Sequence, residues 1–359
     1  MALNQAWRAQ REGKLEALHQ RLTAAVESLV TGEDWIRAMT FAAQFRNRSF
    51  SNTLLIYAQH AERYANGSIS EPWPTYVAGF KQWESLGRVV QRGQRGYMIQ
   101  APVTERWATE ATSGGTALRK LGFRETPKPG EQVRTQIVNV KPAYVWDVCQ
   151  TDGDPVPKRP GPQLLQGQAP EGLWDGLAAL IKAEGFTLSQ VADAREISGA
   201  NGVTNYQART VKVRADMDAA AQVKTLAHEL AHVKMHEPTD DGPARHRGIG
   251  EVEAESVAMM IGAAHGLPTD SYTIPYVSSW ATTSKDKTPA EVVQATGARV
   301  RATALGILNA LDTEQIGSGD PPGLDRSKVA KSQPKLTPTQ ALTGVETVPL
   351  AGQVLDAVP

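Results

Sequence analysis

The sequence has few features of a secreted or membrane protein. Its 359 residues include one cysteine, Cys149, so the chain cannot form an internal disulfide, and a reducing compartment is indicated. No apolar run is long enough to span a bilayer, and the N-terminal segment lacks the continuous apolar stretch of a signal peptide. We therefore expect a cytoplasmic protein that has no membrane partner.

The sequence also lacks an excess of charge of either sign. Basic and acidic residues number 38 each, so the formal net charge is zero. Any affinity for nucleic acid must therefore come from a local basic patch. An apolar share of 41% is sufficient for packed cores, and the length allows two domains of ordinary size.

The order of helix and strand patterns predicts an α+β protein of two domains. Helical periodicity in the first 65 residues is followed by two strands that the basic segment 92–96 joins as a hairpin, which predicts a small antiparallel sheet. Residues 107–133 show no sustained period and predict an exposed insertion. The second half is mostly helical. The expected boundaries are an N-terminal domain at 1–157, a linker at 158–170, a second domain at 171–312 and a disordered tail at 313–359.

A helical pattern at 220–237 contains His228, Glu229 and His232 in the order H-E-x-x-H. The two histidines are one turn apart on one face, a spacing that suits two imidazoles sharing one zinc ion. Glu229 can then act as the general base of peptide hydrolysis by taking a proton from a water at the ion. The alternative is a solvated helix with two surface histidines, which the apolar neighbours disfavour.

A zinc site that hydrolyses peptides needs a third protein ligand. His236 lies two turns from His228 on the same helix, too far to reach the same ion. Downstream, Glu251 and Glu255 share one helix face, whereas Glu253 points away from it. We therefore expect Glu251 to bind the metal and Glu255 to orient a ligating histidine; an ordinary solvated acidic face is the alternative.

These motifs resemble a known family. The segment HELAH followed by E-x-E-A-E-x-x-A is similar to the ImmA/IrrE type of zinc-dependent metallopeptidase domain. The resemblance implies a zincin-like fold, Zn²⁺ as the cofactor and the first glutamate, Glu251, as third ligand. The fifth position is commonly Asn or Asp in that family and is Glu255 here. Members cut regulatory proteins such as repressors, so a protein substrate is implied.

The first domain combines basic and aromatic residues. Between Trp35 and Trp107 the basic side chains outnumber the acidic ones, and aromatic rings are interleaved with them. Cations and flat rings are what single-strand binding requires, although such aromatics are often core and such arginines are often solvated surface. We expect Trp73 and Trp83 to be core residues. The candidate phosphate contacts are Arg88, Arg92 and Arg95 with the backbone of Gly93 and Gly96, and the candidate base or sugar contacts are Asn52 and Gln59.

Three segments, 48–56, 79–88 and 92–96, resemble the N-terminal domain of ArdC-type antirestriction proteins, and 144–153 resembles its end. The first segment begins at Arg48, which joins the candidate nucleic-acid contacts. The resemblance implies binding of single-stranded DNA by a protein carried on a mobile element.

The sequence therefore predicts an antirestriction-type protein that binds single-stranded DNA and has a zinc-dependent metallopeptidase domain. One alternative is a DNA-shielding protein that performs no hydrolysis and whose zinc is structural. The other is a regulatory peptidase that cleaves a repressor, which calls for a helix-turn-helix that the first domain does not show.

Overall fold

The structure is a computed structural model that describes residues 2–109, 118–122, 125–156, 167–237, 247–269, 272, 274–275, 277–282, 287–317 and 319–324. Helices and strands are both present in this part of the chain, which confirms the α+β class. The helices are α1 (Ala2–Glu27), α2 (Gly32–Gln44), α3 (Phe50–Ala65), α4 (Phe80–Ser85), α5 (Leu173–Ala183), α6 (Ala219–Met235), α7 (Arg247–Ala264), α8 (Val277–Ala281) and α9 (Pro289–Ala310). None of them is long and apolar enough to cross a membrane.

The strands of the described residues form three small sheets. Their bounds are β1 (Val77–Ala78), β2 (Val89–Val90), β3 (Tyr97–Thr109), β4 (Leu118–Leu121), β5 (Gln132–Asp147), β6 (Thr151–Asp152), β7 (Thr187–Val191), β8 (Gly202–Asn205) and β9 (Thr210–Arg214). The sheet orders are β1-β5-β3-β4, β2-β6 and β7-β9-β8. In the third sheet β7 and β9 are parallel, whereas β8 pairs antiparallel to β9 and forms one edge.

The basic segment does not close the hairpin that the sequence predicts. Residues 91–96 connect β2 to β3, but β2 pairs with β6 and β3 lies between β5 and β4. Strand β2 is held in register by pairs such as Val89 with Asp152. We call residues 91–96 the basic loop. The two strands that flank the basic loop therefore belong to different sheets.

By its internal contacts the described chain forms two compact units. One holds residues 2–20 and 98–145, and the other holds residues 21–97 and 146–324. Helices α2 and α3, which we assigned to the first domain, thus belong to the same unit as α6 and α7. The linker expected at 158–170 lies mostly outside the described residues, because the structure does not describe 157–166. The domain boundaries therefore stay a prediction.

Helix α7 is the centre of the larger unit and packs against α6, α9 and α2. It is buried on more than one side, since Val257, Met259 and Met260 are all fully buried. Trp35 of α2 donates a 2.8 Å hydrogen bond from its indole nitrogen to Oγ of Ser256, so this polar contact fixes α2 on α7. Burial of large apolar side chains is the main stabilising term here.

The chain stays packed beyond the end that the sequence predicts for the second domain. Residues 313–317 and 319–324 were expected in a disordered tail. Instead the amide of Ile316 donates to the carbonyl of Ala264 at 2.7 Å, and the carbonyl of Gly319 accepts from the amide of Val77 at 3.0 Å. Residues 325–359 lie outside the described residues.

Candidate metal centre and nucleic-acid interface

Helices α6 and α7 bring three possible metal ligands together. Asp218 caps α6, its side chain accepting from the amide of Ala221, and the helix then carries His228 and His232 one turn apart. Their Nε2 atoms lie 3.0 Å from each other, and Oε2 of Glu251 lies 3.4 and 3.6 Å from them. A tetrahedral zinc ion with bonds of about 2.0–2.1 Å separates its ligands by roughly 3.3 Å. The donor set therefore fits such an ion.

The three donors differ in their access to solvent. The side chains of His228 and His232 are mostly buried, whereas that of Glu251 is 65% exposed. The site is thus walled by the two helices and open at Glu251. A structural zinc site is usually closed by four protein ligands, whereas a catalytic one keeps a position open. In the described part of the chain, His228, His232 and Glu251 are the residues whose ligand atoms all lie within 4.8 Å of one another.

Glu255 holds the first histidine. Its Oε2 atom lies 3.1 Å from Nδ1 of His228, and its Oε1 atom lies 3.2 Å from Nζ of Lys224. This placement is the one expected for a carboxylate that orients a ligating histidine. Burial alone would lower the pKa of His228, but hydrogen bonds with Glu251 and Glu255 outweigh it and raise the pKa to about 9. Hydrogen bonds with His228 and His232 hold the pKa of Glu251 well below its usual range. The surroundings therefore favour a positive charge on His228 and a negative charge on Glu251.

The second histidine is held by groups that sequence reasoning set aside. Nδ1 of His232 lies 2.9 Å from Nδ1 of His236, and Nε2 of His236 lies 3.0 Å from Oε2 of Glu253. The other oxygen of Glu253 accepts from Nε of Arg299 at 2.8 Å. We call His228, His232 and Glu251 the donor triangle. His236 and Glu253 do not reach it, as the helix geometry predicts. They contact it through His232 instead.

The expected general base is buried beside the donors. Glu229 is 5% exposed, and Oγ1 of Thr204 donates a 2.6 Å hydrogen bond to its Oε2 atom. Burial raises the pKa of Glu229, although Thr204 and the two histidines of the donor triangle act in the opposite direction. A Cβ atom on Gly202 would lie 2.7 Å from Oε1 of Glu229, so the absence of a side chain there makes room for the carboxylate.

The basic loop contains two exposed arginines, Arg92 and Arg95. Hydrogen bonds from Arg63 hold the backbone of this loop. The carbonyls of Arg95 and Gly96 both accept from the guanidinium of Arg63, the second at 3.0 Å. Gly93 is exposed and adopts a φ of +87°, a left-handed conformation that glycine adopts without strain. The two arginine side chains therefore remain available for an anionic partner.

The other expected nucleic-acid contacts are engaged inside the protein. Arg88 is 7% exposed, and its guanidinium donates to Oγ1 and the carbonyl of Thr151 at 2.9 and 2.8 Å. Asn52 and Gln59 are also buried. Arg48 donates to the carbonyl of Val77 at 2.8 Å and pairs with Asp320. These contacts correct our expectation, because buried or engaged side chains stabilise the fold and are not presented to a strand of DNA.

Two tryptophans expected in the core have different environments. Trp83 is fully buried, whereas Trp73 is 53% exposed and lies with its ring stacked on that of Tyr57 at a centroid distance of 6.0 Å. The segment before Trp73 touches the basic loop, since Nε2 of Gln94 donates to the carbonyl of Ser68 at 3.3 Å. An exposed ring thus lies on a segment that is tied to the loop of Arg92 and Arg95.

The chain is similar to proteins of known family in both halves. Residues 14–146 match the model of the N-terminal domain of anti-restriction factor ArdC, and residues 190–274 match that of the IrrE N-terminal-like domain. An uncharacterized protein of Bacillus anthracis is 24% identical over 319 residues, which are 84% of this chain and 52% of the relative. The chain thus spans about half the length of the curated relative that it matches.

Solved structures of the antirestriction protein ArdC from the R388 plasmid are also similar. The metal-free structure is 19% identical with a TM-score of 0.43 and covers 73% of this chain and 84% of that one. The Mn(II)-bound structure is 19% identical with a TM-score of 0.47 and covers 82% and 97%. The two family matches confirm the resemblances found in the sequence motifs. Residues 14–146 therefore resemble the N-terminal domain of anti-restriction factor ArdC, and residues 190–274 resemble the IrrE N-terminal-like domain.

Proposed function

We propose that the protein is an antirestriction-type factor of a mobile element that binds single-stranded DNA and has a zinc-dependent endopeptidase site. The observation that carries the peptidase proposal is the donor triangle of His228, His232 and Glu251 next to the buried carboxylate of Glu229. Two imidazoles and one carboxylate suit Zn²⁺ as the ion. We place this activity in the cytoplasm, because the proposed partner is DNA.

Each residue of the site has a role in the proposed hydrolysis. A zinc ion, when bound, polarises a carbonyl and makes a water molecule more acidic. Glu229 takes the proton of the attacking water and passes it to the leaving amine, a role that its raised pKa favours. Thr204 fixes the direction of that carboxylate. The substrate enters on the open side, at Glu251.

The same site supports catalysis over a purely structural zinc. A structural ion needs a closed set of ligands, whereas three donors and an exposed side leave a position for water. A buried glutamate beside the donors supplies the base that hydrolysis needs. The regulatory alternative, in which a repressor is the substrate, uses the same chemistry and differs in the protein that is cut.

The proposed DNA surface is the basic loop together with Trp73. Arg92 and Arg95 contact phosphates, the amide of Gly93 assists them, and the exposed face of Trp73 stacks on a base. Gly96 contributes through the fixed shape of the loop, since its carbonyl is held by Arg63. A protein bound along the strand shields it, which is the DNA part of an antirestriction role.

The test separates the two activities. Wild-type protein and Glu229→Gln are each measured for zinc content, for hydrolysis of denatured casein, and for binding of a labelled oligo(dT). The proposal expects the variant to keep zinc and DNA binding and to lose hydrolysis by a factor of roughly 10² to 10⁴. Equal hydrolysis by both proteins contradicts the peptidase proposal. Loss of zinc in the variant shows instead that Glu229 is needed to build the site.

A further inference from the structure

Glu253 is a buried carboxylate that the proposed hydrolysis does not use. Its side chain is 6% exposed, and it lies on α7 between two partners. Oε1 accepts from the guanidinium of Arg299 on α9, and Oε2 faces Nε2 of His236 at 3.0 Å. A buried charge is costly unless it is paired, and losing one partner of such a pair is strongly destabilising. The burial of a carboxylate at this position therefore indicates that it has a specific role.

The contacts of Glu253 determine where the protons of two histidines reside. An ionised carboxylate only accepts hydrogen bonds, so Nε2 of His236 must carry a proton and donate it. A neutral His236 then has a lone pair on Nδ1. That lone pair faces Nδ1 of His232 at 2.9 Å, which makes Nδ1 of His232 the donor. The Nε2 atom of His232 is left without a proton, and this is the atom that faces Glu251.

We propose that Glu253, through His236, fixes the ring tautomer and orientation of His232 so that its Nε2 lone pair points at the metal position. This inference rests on the proposed zinc site. Glu255 does the same for His228 by one direct contact, from Oε2 to Nδ1 at 3.1 Å. Both ligating histidines then have a defined tautomer, set by a carboxylate that does not itself touch the ion. We call Glu253, His236 and His232 the histidine relay.

The relay gives Arg299 a positioning role as well. Its guanidinium only donates hydrogen bonds, and it also contacts Oγ1 of Thr296 at 3.2 Å on its own helix. Arg299 therefore keeps one oxygen of Glu253 turned toward α9 and leaves the other for His236. Helix α9 contributes to the metal centre in this way without supplying a ligand.

The substitution Glu253→Gln tests the relay because it reverses the direction of the hydrogen bonds. Arg299 holds the amide oxygen, so the amide NH₂ group turns toward His236 and donates to Nε2. The proton of His236 then moves to Nδ1, and His232 must accept there and carry its own proton on Nε2. We expect zinc affinity, measured by competition with a chromophoric chelator, to fall by a factor of roughly 10 to 100.

Two comparisons separate positioning from general loss of stability. In the background of His236→Ala the relay is already broken, so Glu253→Gln is expected to cause no further loss of zinc affinity. Asp320→Asn removes a comparably buried ion pair, with Arg48, from a place outside the relay. It is expected to leave zinc affinity unchanged even if it lowers the melting temperature.

Long-range ¹⁵N NMR of the histidine rings reads the tautomers directly. The relay predicts a proton on Nε2 of His236 and on Nδ1 of His232 in the wild-type protein, and the opposite tautomer of His236 in Glu253→Gln. Wild-type zinc affinity in Glu253→Gln, or an equal further loss in the His236→Ala background, overturns the relay. A wild-type protein that binds no zinc contradicts the proposed function instead. The tautomer of His236 in the metal-free protein then decides the relay alone, and a proton on Nδ1 overturns it.

Discussion

The hydroxyl of Thr204 donates a hydrogen bond of 2.6 Å to Oε2 of Glu229 and so links the edge strand β8 to helix α6, which carries the proposed ligands His228 and His232. Glu229 is buried, and a buried carboxylate without a fixed donor could rotate or take up a proton. The contact therefore fixes the direction of the proposed base and acts against the burial that raises the pKa of Glu229. Strand β8 takes part in the chemistry without contributing a reacting group.

Replacing Thr204 tests this link. Thr204→Val keeps the shape of the side chain and removes the donor, whereas Thr204→Ser keeps the donor. Loss of a hydrogen bond to a charged group costs about 1.5–3 kcal/mol, so kcat/KM for casein hydrolysis should fall by roughly 10- to 100-fold in the valine variant. The serine variant should remain near wild type. Equal activity of the two variants would show that the hydroxyl does not position Glu229.

Gly202→Ala tests the space that Glu229 occupies. The added Cβ atom would lie 2.7 Å from Oε1 of Glu229 and 2.7 Å from the methyl group of Thr225, so the carboxylate must move. We expect hydrolysis to be lost, zinc to be retained, and unfolding free energy to fall by about 1–3 kcal/mol, as is typical of overpacking. The matched control is Gly306→Ala on α9, where a Cβ atom meets nothing within 4 Å. Retained hydrolysis in Gly202→Ala contradicts the assigned position of the base.

The DNA surface predicts a change in salt dependence. Removing both exposed charges with the double variant Arg92→Gln and Arg95→Gln should weaken oligo(dT) binding and reduce the slope of log K against log salt by roughly 0.7 for each lost phosphate contact. Fluorescence anisotropy at several salt concentrations measures this slope. Arg195→Gln is the control, because Arg195 is 91% exposed and lies outside the proposed surface. An unchanged slope in the double variant would show that the DNA does not contact the basic loop.

The metal-free protein should lose stability as the pH rises. The pKa of His228 is raised from 6.5 to about 9 in the folded protein, because contacts with Glu251 and Glu255 outweigh its burial. A raised folded-state pKa contributes stability that is complete below about pH 6.5 and is lost as the pH passes 9. Thermal unfolding in the presence of a chelator measures this loss. The loss should be absent in His228→Gln, and an identical pH profile for that variant contradicts the assignment.

The proximity of the three proposed ligands was largely predictable because most of it is local. Two histidines four residues apart share a helix face, and the same spacing relates Glu251 to Glu255, so each helix fixes its own pair of residues. Only the packing of α6 on α7 had to be supplied by tertiary structure. The roles of His236 and Glu253 were not predictable in this way, since they depend on Arg299, which reaches them from α9.

The nucleic-acid surface was predictable only in part. Arg92 and Arg95 follow the simple rule that charged residues in a glycine-rich loop are exposed. Arg88 is an exception because its guanidinium donates hydrogen bonds to the hydroxyl and the carbonyl of Thr151. The local sequence does not predict this partner, which lies more than sixty residues away. The local sequence predicts a hairpin at the basic loop for the same reason. The partner of β2 is β6, a short strand that the local pattern does not connect to it.

Zinc stoichiometry is the most direct measurement of the central claim. Elemental analysis of the purified protein should find about one zinc per chain in the wild type and in Glu229→Gln, and almost none in His228→Ala or Glu251→Ala. This pattern requires Glu251 to be a ligand and Glu229 not to be one. A wild type without zinc, or a Glu251→Ala variant that keeps its zinc at the wild-type level, would contradict the proposed metal centre.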